Sequence, residues 1–209
     1  MTGTATRHLY LVRHGEAAGE DDGSALTEAG RRQAQLLGRR LREHPISVVR
    51  HGPLTRAAET AKLIGEQLDG VPVRVTETAD DYVPHFPDRA ELPADSADRF
   101  MRFLEPCTAE ERLRGPELAR RALTELTGPP EGDEDVHELV VTHSFLVSWL
   151  MRDAMDAPKW RWLGLNHGNA SLTVIRYAPG RPASVLVSND MRHLPDELCW
   201  TGFPPELRV

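Results

Sequence analysis

Short apolar runs alternate along the chain with longer segments in which apolar residues recur every three or four positions. Residues 9–12 form a continuous apolar run, which is typical of a strand buried on both faces. The following stretch, "LTEAGRRQAQLLGRRLREHP", predicts a helix capped by Thr27. Further strands are predicted at 46–49, 71–75, 138–143, 170–178 and 183–189, and further helices begin at Pro53, Pro116 and Ser144.

This alternation predicts an α/β fold, a three-layer α/β/α sandwich around a mostly parallel central sheet. Residues 79–115 break the pattern because prolines, aspartates and aromatic residues are mixed there, with one short helix expected at 100–104. We interpret this segment as a small insertion over the active site. The length of 209 residues suits one domain, so we interpret residues 1–209 as a single unit.

Composition narrows the possible partners. The formal net charge of -7 argues against binding nucleic acid through a basic surface, and the sequence has no apolar run long enough for a membrane span. The first eight residues contain no apolar signal core, and the two cysteines, Cys107 and Cys199, are far apart. We therefore expect a cytoplasmic protein without nucleic-acid or membrane partners, and nothing in the sequence indicates its oligomeric state.

Cationic residues follow several of the predicted strands. Arg13 and His14 end the first strand, Arg56 lies in the first turns of the helix after another strand, and His143 ends a third. Ligands of open α/β sheets bind beyond the carboxyl ends of the strands, so these residues are expected at one edge. The arginine fork matches phosphate oxygens, and a neutral histidine can attack phosphorus. The pattern therefore indicates a site for a phosphoryl group.

Four motifs in order, "LVRHGE", "GPLTRAAETA", "VVTHS" and "LNHGNASLTVI", resemble those of the histidine phosphatase superfamily, the phosphoglycerate-mutase-like group. The resemblance implies that His14 is the nucleophile and forms a phosphohistidine. It also implies that Arg13 and Arg56 bind phosphate and that His143 binds phosphate and stabilises the transferring group. No metal and no cofactor are implied, because arginine and histidine supply the positive charge.

The acid that protonates the leaving group is less clearly marked. The family uses a carboxylic acid shortly after the third strand, where this chain reads "TETADDY". We rank Asp80 first, Asp81 second and Glu77 third. Gly15 allows close approach of backbone and ligand, and Glu16 either hydrogen-bonds within the substrate-binding site or remains solvated.

We therefore expect a metal-independent phosphatase that hydrolyses phosphomonoesters of small molecules or of phosphoproteins. The alternatives are a phosphoglycerate-mutase-type phosphomutase and a phosphate-binding pseudoenzyme. The segment after "RHGE" is short and acidic, whereas mutases of this family carry a longer, glycine-rich loop there. That difference favours the compact phosphatases of the family.

Overall fold

The structure, a computed structural model, describes residues 4–19 and 21–208. Six strands form its central sheet: β1 (Arg7–Arg13), β2 (Val48–His51), β3 (Val73–Val75), β4 (Val136–Thr142), β5 (Leu172–Tyr177) and β6 (Ser184–Asp190). Their order across the sheet is β3-β2-β4-β1-β5-β6. The first four strands run parallel, whereas β5 is antiparallel to both β1 and β6. The predicted mostly parallel sheet with a late hairpin is confirmed.

Helices cover both faces of this sheet: α1 (Glu28–Leu41), α2 (Thr55–Gly65), α3 (Ala97–Leu104), α4 (Ala109–Leu126) and α5 (Ser144–Ala154). Strand β1 contributes to two separate apolar cores because successive side chains point to opposite faces. Leu9 and Leu11 pack with residues of α4 and α5, and Tyr10 and Val12 pack with residues of α1 and α2. The apolar run of β1 is continuous because both of its faces are covered, and the predicted three-layer sandwich is confirmed.

The predicted start of α4 is wrong. We expected the helix to begin at Pro116, but it begins at Ala109 and runs through that proline. Thr108 and Glu111 form a capping box, in which each side chain accepts a hydrogen bond from the other residue's backbone N–H. The segment 79–115, predicted as an insertion, therefore already contains the first two turns of a long helix.

The parallel strands β1, β2 and β4 end at the same edge of the sheet. The register pairs Arg13 at the end of β1 with Thr142 at the end of β4. It also pairs His51 at the end of β2 with Val141. The residues that follow these strands, including His14 and His143, are therefore neighbours although they are far apart in sequence.

Candidate active site

His14 is the first residue beyond β1, and its backbone continues the sheet. Its N–H donates to the Thr142 carbonyl oxygen at 2.9 Å, and its side chain is 7% exposed. The Nδ1 atom lies 2.7 Å from the Gly15 carbonyl oxygen, which can only accept a hydrogen bond. Nδ1 therefore carries the proton, and Nε2 is left with a free lone pair.

Gly15 allows the backbone after the histidine to pass close to the first turn of α1. A Cβ atom at this position would lie 2.6 Å from the Gly30 carbonyl oxygen in α1, so a larger residue does not fit. The Gly15 N–H donates to the Thr60 hydroxyl at 3.0 Å, and that hydroxyl donates to the Arg56 carbonyl oxygen at 2.7 Å. One hydroxyl on α2 thus connects the backbone after His14 to the backbone of Arg56.

The two arginines approach from different elements. Arg13 donates to the His167 carbonyl oxygen at 2.7 Å, and its guanidinium lies 5.4 Å from the centre of the Phe203 ring. Burial lowers the pKa of Arg13 to about 10, so this side chain remains charged at neutral pH. Arg56, in the first turn of α2, is 6% exposed and donates to the Asp21 carbonyl oxygen at 3.1 Å.

His143 follows β4 at the N-terminus of α5 and is 2% exposed. The centres of the His14 and His143 rings are 4.9 Å apart. A cavity of about 700 Å³, called the catalytic cavity below, is lined by all four predicted phosphate-site residues and by several neighbours: Arg13, His14, Arg56, His143, Glu16, Asp81, Val83, Phe103, Cys107, Ser144, Phe145, Asn169 and Gly202. The two arginines and two histidines predicted to bind phosphate thus meet in one cavity.

Both histidines of the cavity are neutral over a wide pH range. Burial, assisted by His143 and Arg13, lowers the pKa of His14 to about 3. Burial and then Arg56 and Arg13 lower the pKa of His143 to about 3. The positive charge of the free site therefore lies on the two arginines, and the lone pair of His14 is available near neutral pH.

The three acid candidates occupy different surroundings. An Asp81 carboxylate oxygen lies 3.0 Å from Arg56 and 3.3 Å from His143 Nδ1, inside the catalytic cavity. Asp80 lines an adjoining cavity of about 400 Å³, and burial raises its pKa. Glu77 is exposed and pairs with Arg121. The structure therefore brings Asp81, the second choice from the sequence, to the cationic cluster, and not Asp80 or Glu77.

The sequence matches the family model of the histidine phosphatase superfamily (branch 1) over residues 9–190. The chain belongs to this family. It is 33% identical over 194 residues to the mitochondrial serine/threonine-protein phosphatase Pgam5 of Caenorhabditis elegans. The aligned region covers 92% of this chain and 66% of that protein. The chain is 30% identical over 201 residues to the Pgam5 of Caenorhabditis briggsae, covering 95% and 68% of the two chains. The chain thus spans about two thirds of the length of these relatives.

Two solved structures illustrate how widely the fold is shared. The Bacillus stearothermophilus YhfR structure is 26% identical, with a TM-score of 0.68 over 90% of this chain and 98% of that one. A mycobacterial glucosyl-3-phosphoglycerate phosphatase, 24% identical, superposes with a TM-score of 0.64 over 88% and 99% of the chains. These two structures confirm the predicted fold, and the family match together with the Pgam5 relatives confirms the predicted class, a phosphatase of this family.

The predicted cytoplasmic location is wrong, because four Pgam5 relatives are named as mitochondrial. Unpaired cysteines argue only against an oxidising compartment and do not distinguish one reducing compartment from another.

Within residues 4–19 and 21–208, no helix combines the length and apolar character that crossing a bilayer requires.

Two residues that support this histidine phosphatase site, Thr60 and Gln33, were not predicted from the sequence. Thr60 lies four residues after Arg56, on the buried face of α2, and Gln33 is a fully buried polar residue on the inward face of α1. A polar side chain on an otherwise apolar helix face is the signal that marks both. Glu16, in contrast, was predicted either to hydrogen-bond within the substrate-binding site or to remain solvated; it accepts a hydrogen bond from the Thr27 hydroxyl at 2.6 Å at the N-terminus of α1 and lines the catalytic cavity.

Proposed function

We propose that this histidine phosphatase hydrolyses phosphomonoesters through a phosphohistidine formed on Nε2 of His14. One observation carries the proposal: a neutral His14, whose Nδ1–H is held by the Gly15 carbonyl, shares one cavity with Arg13, Arg56 and His143. A nucleophile with a free lone pair and fixed cations around it is what phosphoryl transfer requires.

In the first step, Nε2 attacks phosphorus while the bond to the leaving oxygen breaks. Arg13 and Arg56 bind the non-bridging oxygens through their guanidinium N–H groups. His143 donates an N–H to the same group. Because these donors are already held in place by the fold, charge that develops in the transition state is stabilised without rearrangement of solvent.

We assign the role of general acid to Asp81. In the free enzyme its carboxylate pairs with Arg56. A phosphate dianion that takes over this arginine releases the Asp81 carboxyl group from the ion pair, so that the group can face the leaving oxygen. The carboxylic acid then gives its proton to the leaving oxygen. In the second step the carboxylate takes a proton from the water that attacks the phosphohistidine, which releases phosphate and restores His14.

The substrate class we propose is phosphoserine or phosphothreonine in a protein. The names of the Pgam5 relatives support this class, since they are described as serine/threonine-protein phosphatases. A panel of phosphopeptides compared with small phosphometabolites tests it. Higher kcat/KM for the peptides supports a protein substrate, whereas a strong preference for one metabolite contradicts it.

The reaction itself is tested with p-nitrophenyl phosphate in the presence of EDTA. We expect the wild-type enzyme to turn over and His14→Ala to be inactive. His44→Ala, at an exposed histidine outside the catalytic cavity, is the matched control and should retain full activity. A wild-type enzyme that neither hydrolyses this ester nor becomes labelled on histidine contradicts the proposal.

A further inference from the structure

Three polar side chains connect the C-terminal segment, residues 191–208, to the backbone of residues 14–16, which carries the nucleophile. The Glu16 N–H donates to Gln33 Oε1 at 2.8 Å. Gln33 Nε2 donates one hydrogen to the Leu198 carbonyl oxygen and the other to the Thr201 hydroxyl, each at 2.9 Å. The Thr201 hydroxyl lies 3.3 Å from Asn169 Oδ1 and donates to it. Asn169 Nδ2 then donates to the His14 carbonyl oxygen at 3.1 Å.

These contacts form a continuous hydrogen-bond chain from the backbone of Glu16 to the backbone of His14. Gly15, whose carbonyl oxygen holds His14 Nδ1, lies between the two ends. Gln33 and Asn169 are 0% and 4% exposed, so water does not readily replace a lost partner. The chain therefore restrains the peptide group that sets the tautomer and orientation of the His14 ring.

Thr201 is the central member because its hydroxyl accepts from one amide and donates to the other. It lies beyond residues 9–190, the part that the family model matches. Its neighbours also reach the site, since Gly202 lines the catalytic cavity and the Phe203 ring lies against Arg13. The backbone turns sharply here, with positive φ angles at Trp200 and Gly202.

We propose that Thr201 is a positioning residue for His14, which acts through Gln33 and Asn169 and not through contact with the substrate. The C-terminal segment then supports the active site through hydrogen bonds and takes no part in the reaction itself. This inference rests on the proposed phosphohistidine mechanism. It adds a requirement for one hydroxyl group, in a segment that carries none of the catalytic motifs.

Comparing four residues at position 201 distinguishes the effect of the hydroxyl group from the effect of side-chain size. Thr and Ser keep the hydroxyl, whereas Thr201→Val and Thr201→Ala remove it from a large and a small side chain. We expect Thr201→Ser to retain near wild-type kcat with p-nitrophenyl phosphate. Both variants without the hydroxyl should lose about tenfold in kcat with KM changed less than about twofold, because a displaced nucleophile slows the reaction without weakening phosphate binding.

A spectroscopic measurement distinguishes positioning from loss of structure. In protein carrying ¹⁵N-labelled histidine, His14 should be a single Nδ1–H tautomer in the wild type and in Thr201→Ser. The Val and Ala variants should show a mixture of tautomers or rapid exchange of the Nδ1 proton. Thr124→Val, which removes an exposed hydroxyl of α4 from its bond to the Arg120 carbonyl, is the control and should change neither kcat nor the His14 signals.

Activity that follows the volume of residue 201, or that is equal in all four proteins, overturns the inference. So does a single unchanged His14 tautomer in the variants without the hydroxyl. If Thr201→Val does not fold, Thr201→Ala carries the comparison. Failure of the mechanism itself is distinguishable, because wild-type turnover and the loss in His14→Ala are measured independently of position 201.

Discussion

Asp81 contacts two of the predicted phosphate-binding residues, since its carboxylate lies beside both Arg56 and His143 in the free enzyme. The sequence analysis ranked the neighbouring Asp80 first. The sequence alone does not distinguish two adjacent aspartates on a loop, because it does not show in which direction each side chain points. The Asp80 carboxylate instead accepts the Asp81 backbone N–H at 2.8 Å and lies 3.7 Å from Arg114. The difference is one of side-chain direction, which no spacing rule determines in an irregular loop.

The assignment of the acid predicts a dependence on the leaving group. Asp81→Asn should lower kcat/KM for alkyl phosphates by about 10²-fold or more, because a poor leaving group needs a proton. It should affect p-nitrophenyl phosphate much less. The measurement is a series of esters of increasing leaving-group pKa, with Asp80→Asn as the matched control. Equal losses on aryl and alkyl esters in Asp81→Asn exclude it from this role, and a steeper dependence in Asp80→Asn transfers the role to that residue.

Gly15 is a position at which the structure has room only for glycine. We expect Gly15→Ala to destabilise the protein by about 1–3 kcal/mol, because the added methyl group overlaps the Gly30 carbonyl oxygen. Activity should fall as well, since Gly15 holds the His14 ring. Urea unfolding and p-nitrophenyl phosphate turnover check both effects. Gly23→Ala, where a Cβ meets nothing within 4 Å, should change neither, and a Gly15→Ala protein as stable and active as the wild type contradicts the account.

Among the helices, the N-termini of α1 and α3 allow the contribution of a capping residue to the free energy of unfolding to be measured. Thr27 accepts the Gly30 N–H at 3.0 Å and donates to the Glu16 carboxylate. Thr27→Ala should therefore lower the free energy of unfolding by about 1 kcal/mol. Ser96, at the N-terminus of α3, makes no such capping bond, so Ser96→Ala is the control and should be nearly neutral in urea unfolding. An equal cost at both positions would show that capping is not the cause.

Most elements could be predicted from the sequence because apolar periodicity and capping residues are local signals. The strand at 138–143 and the helix after it were found within two residues, as Val136–Thr142 and Ser144–Ala154. The start of α4 was missed because a proline was interpreted as the first residue of the helix. The Thr108 capping box sets the start of the helix at Ala109, two turns before Pro116, so the proline lies inside the helix.

The contacts that hold the site together are less accessible from the sequence. Gly15 and Thr60 are 45 residues apart, and Gln33 and Thr201 are 168 residues apart. The strand-end residues Arg13, His14 and His143 could be grouped by a topological rule, since parallel strands end at one edge. No comparable rule relates a threonine in an irregular C-terminal segment to the nucleophile, so its contribution depends on tertiary packing.

Across the whole molecule, buried neutral histidines make stability depend on pH. The pKa values of His14 and His143 fall from 6.5 to about 3, and those of His167 and His193 to about 4, with burial as the main cause. The unfolded chain takes up these protons below about pH 6.5, whereas the folded chain does so only near pH 3–4. Stability is therefore complete above about pH 6.5 and decreases as the pH falls, by about 1.4 kcal/mol per pH unit for each such histidine.

Urea unfolding between pH 7 and pH 4.5 tests this dependence. His14→Gln should give a shallower slope, because one proton fewer is taken up on unfolding. Thr124→Val, which changes an exposed residue of α4 and no titratable group, should leave the slope unchanged. A wild-type stability that is constant over this range, or that rises on acidification, contradicts the neutral buried state of these rings.

The central claim is that phosphate passes through His14 in two in-line displacements. The most direct test is the stereochemical course of hydrolysis, with an ester whose phosphorus is made chiral by sulfur and oxygen isotopes, in isotopically labelled water. Two displacements invert the configuration twice, so the account predicts net retention at phosphorus. Net inversion would mean that water attacks the substrate directly, and it would contradict a phosphohistidine on His14.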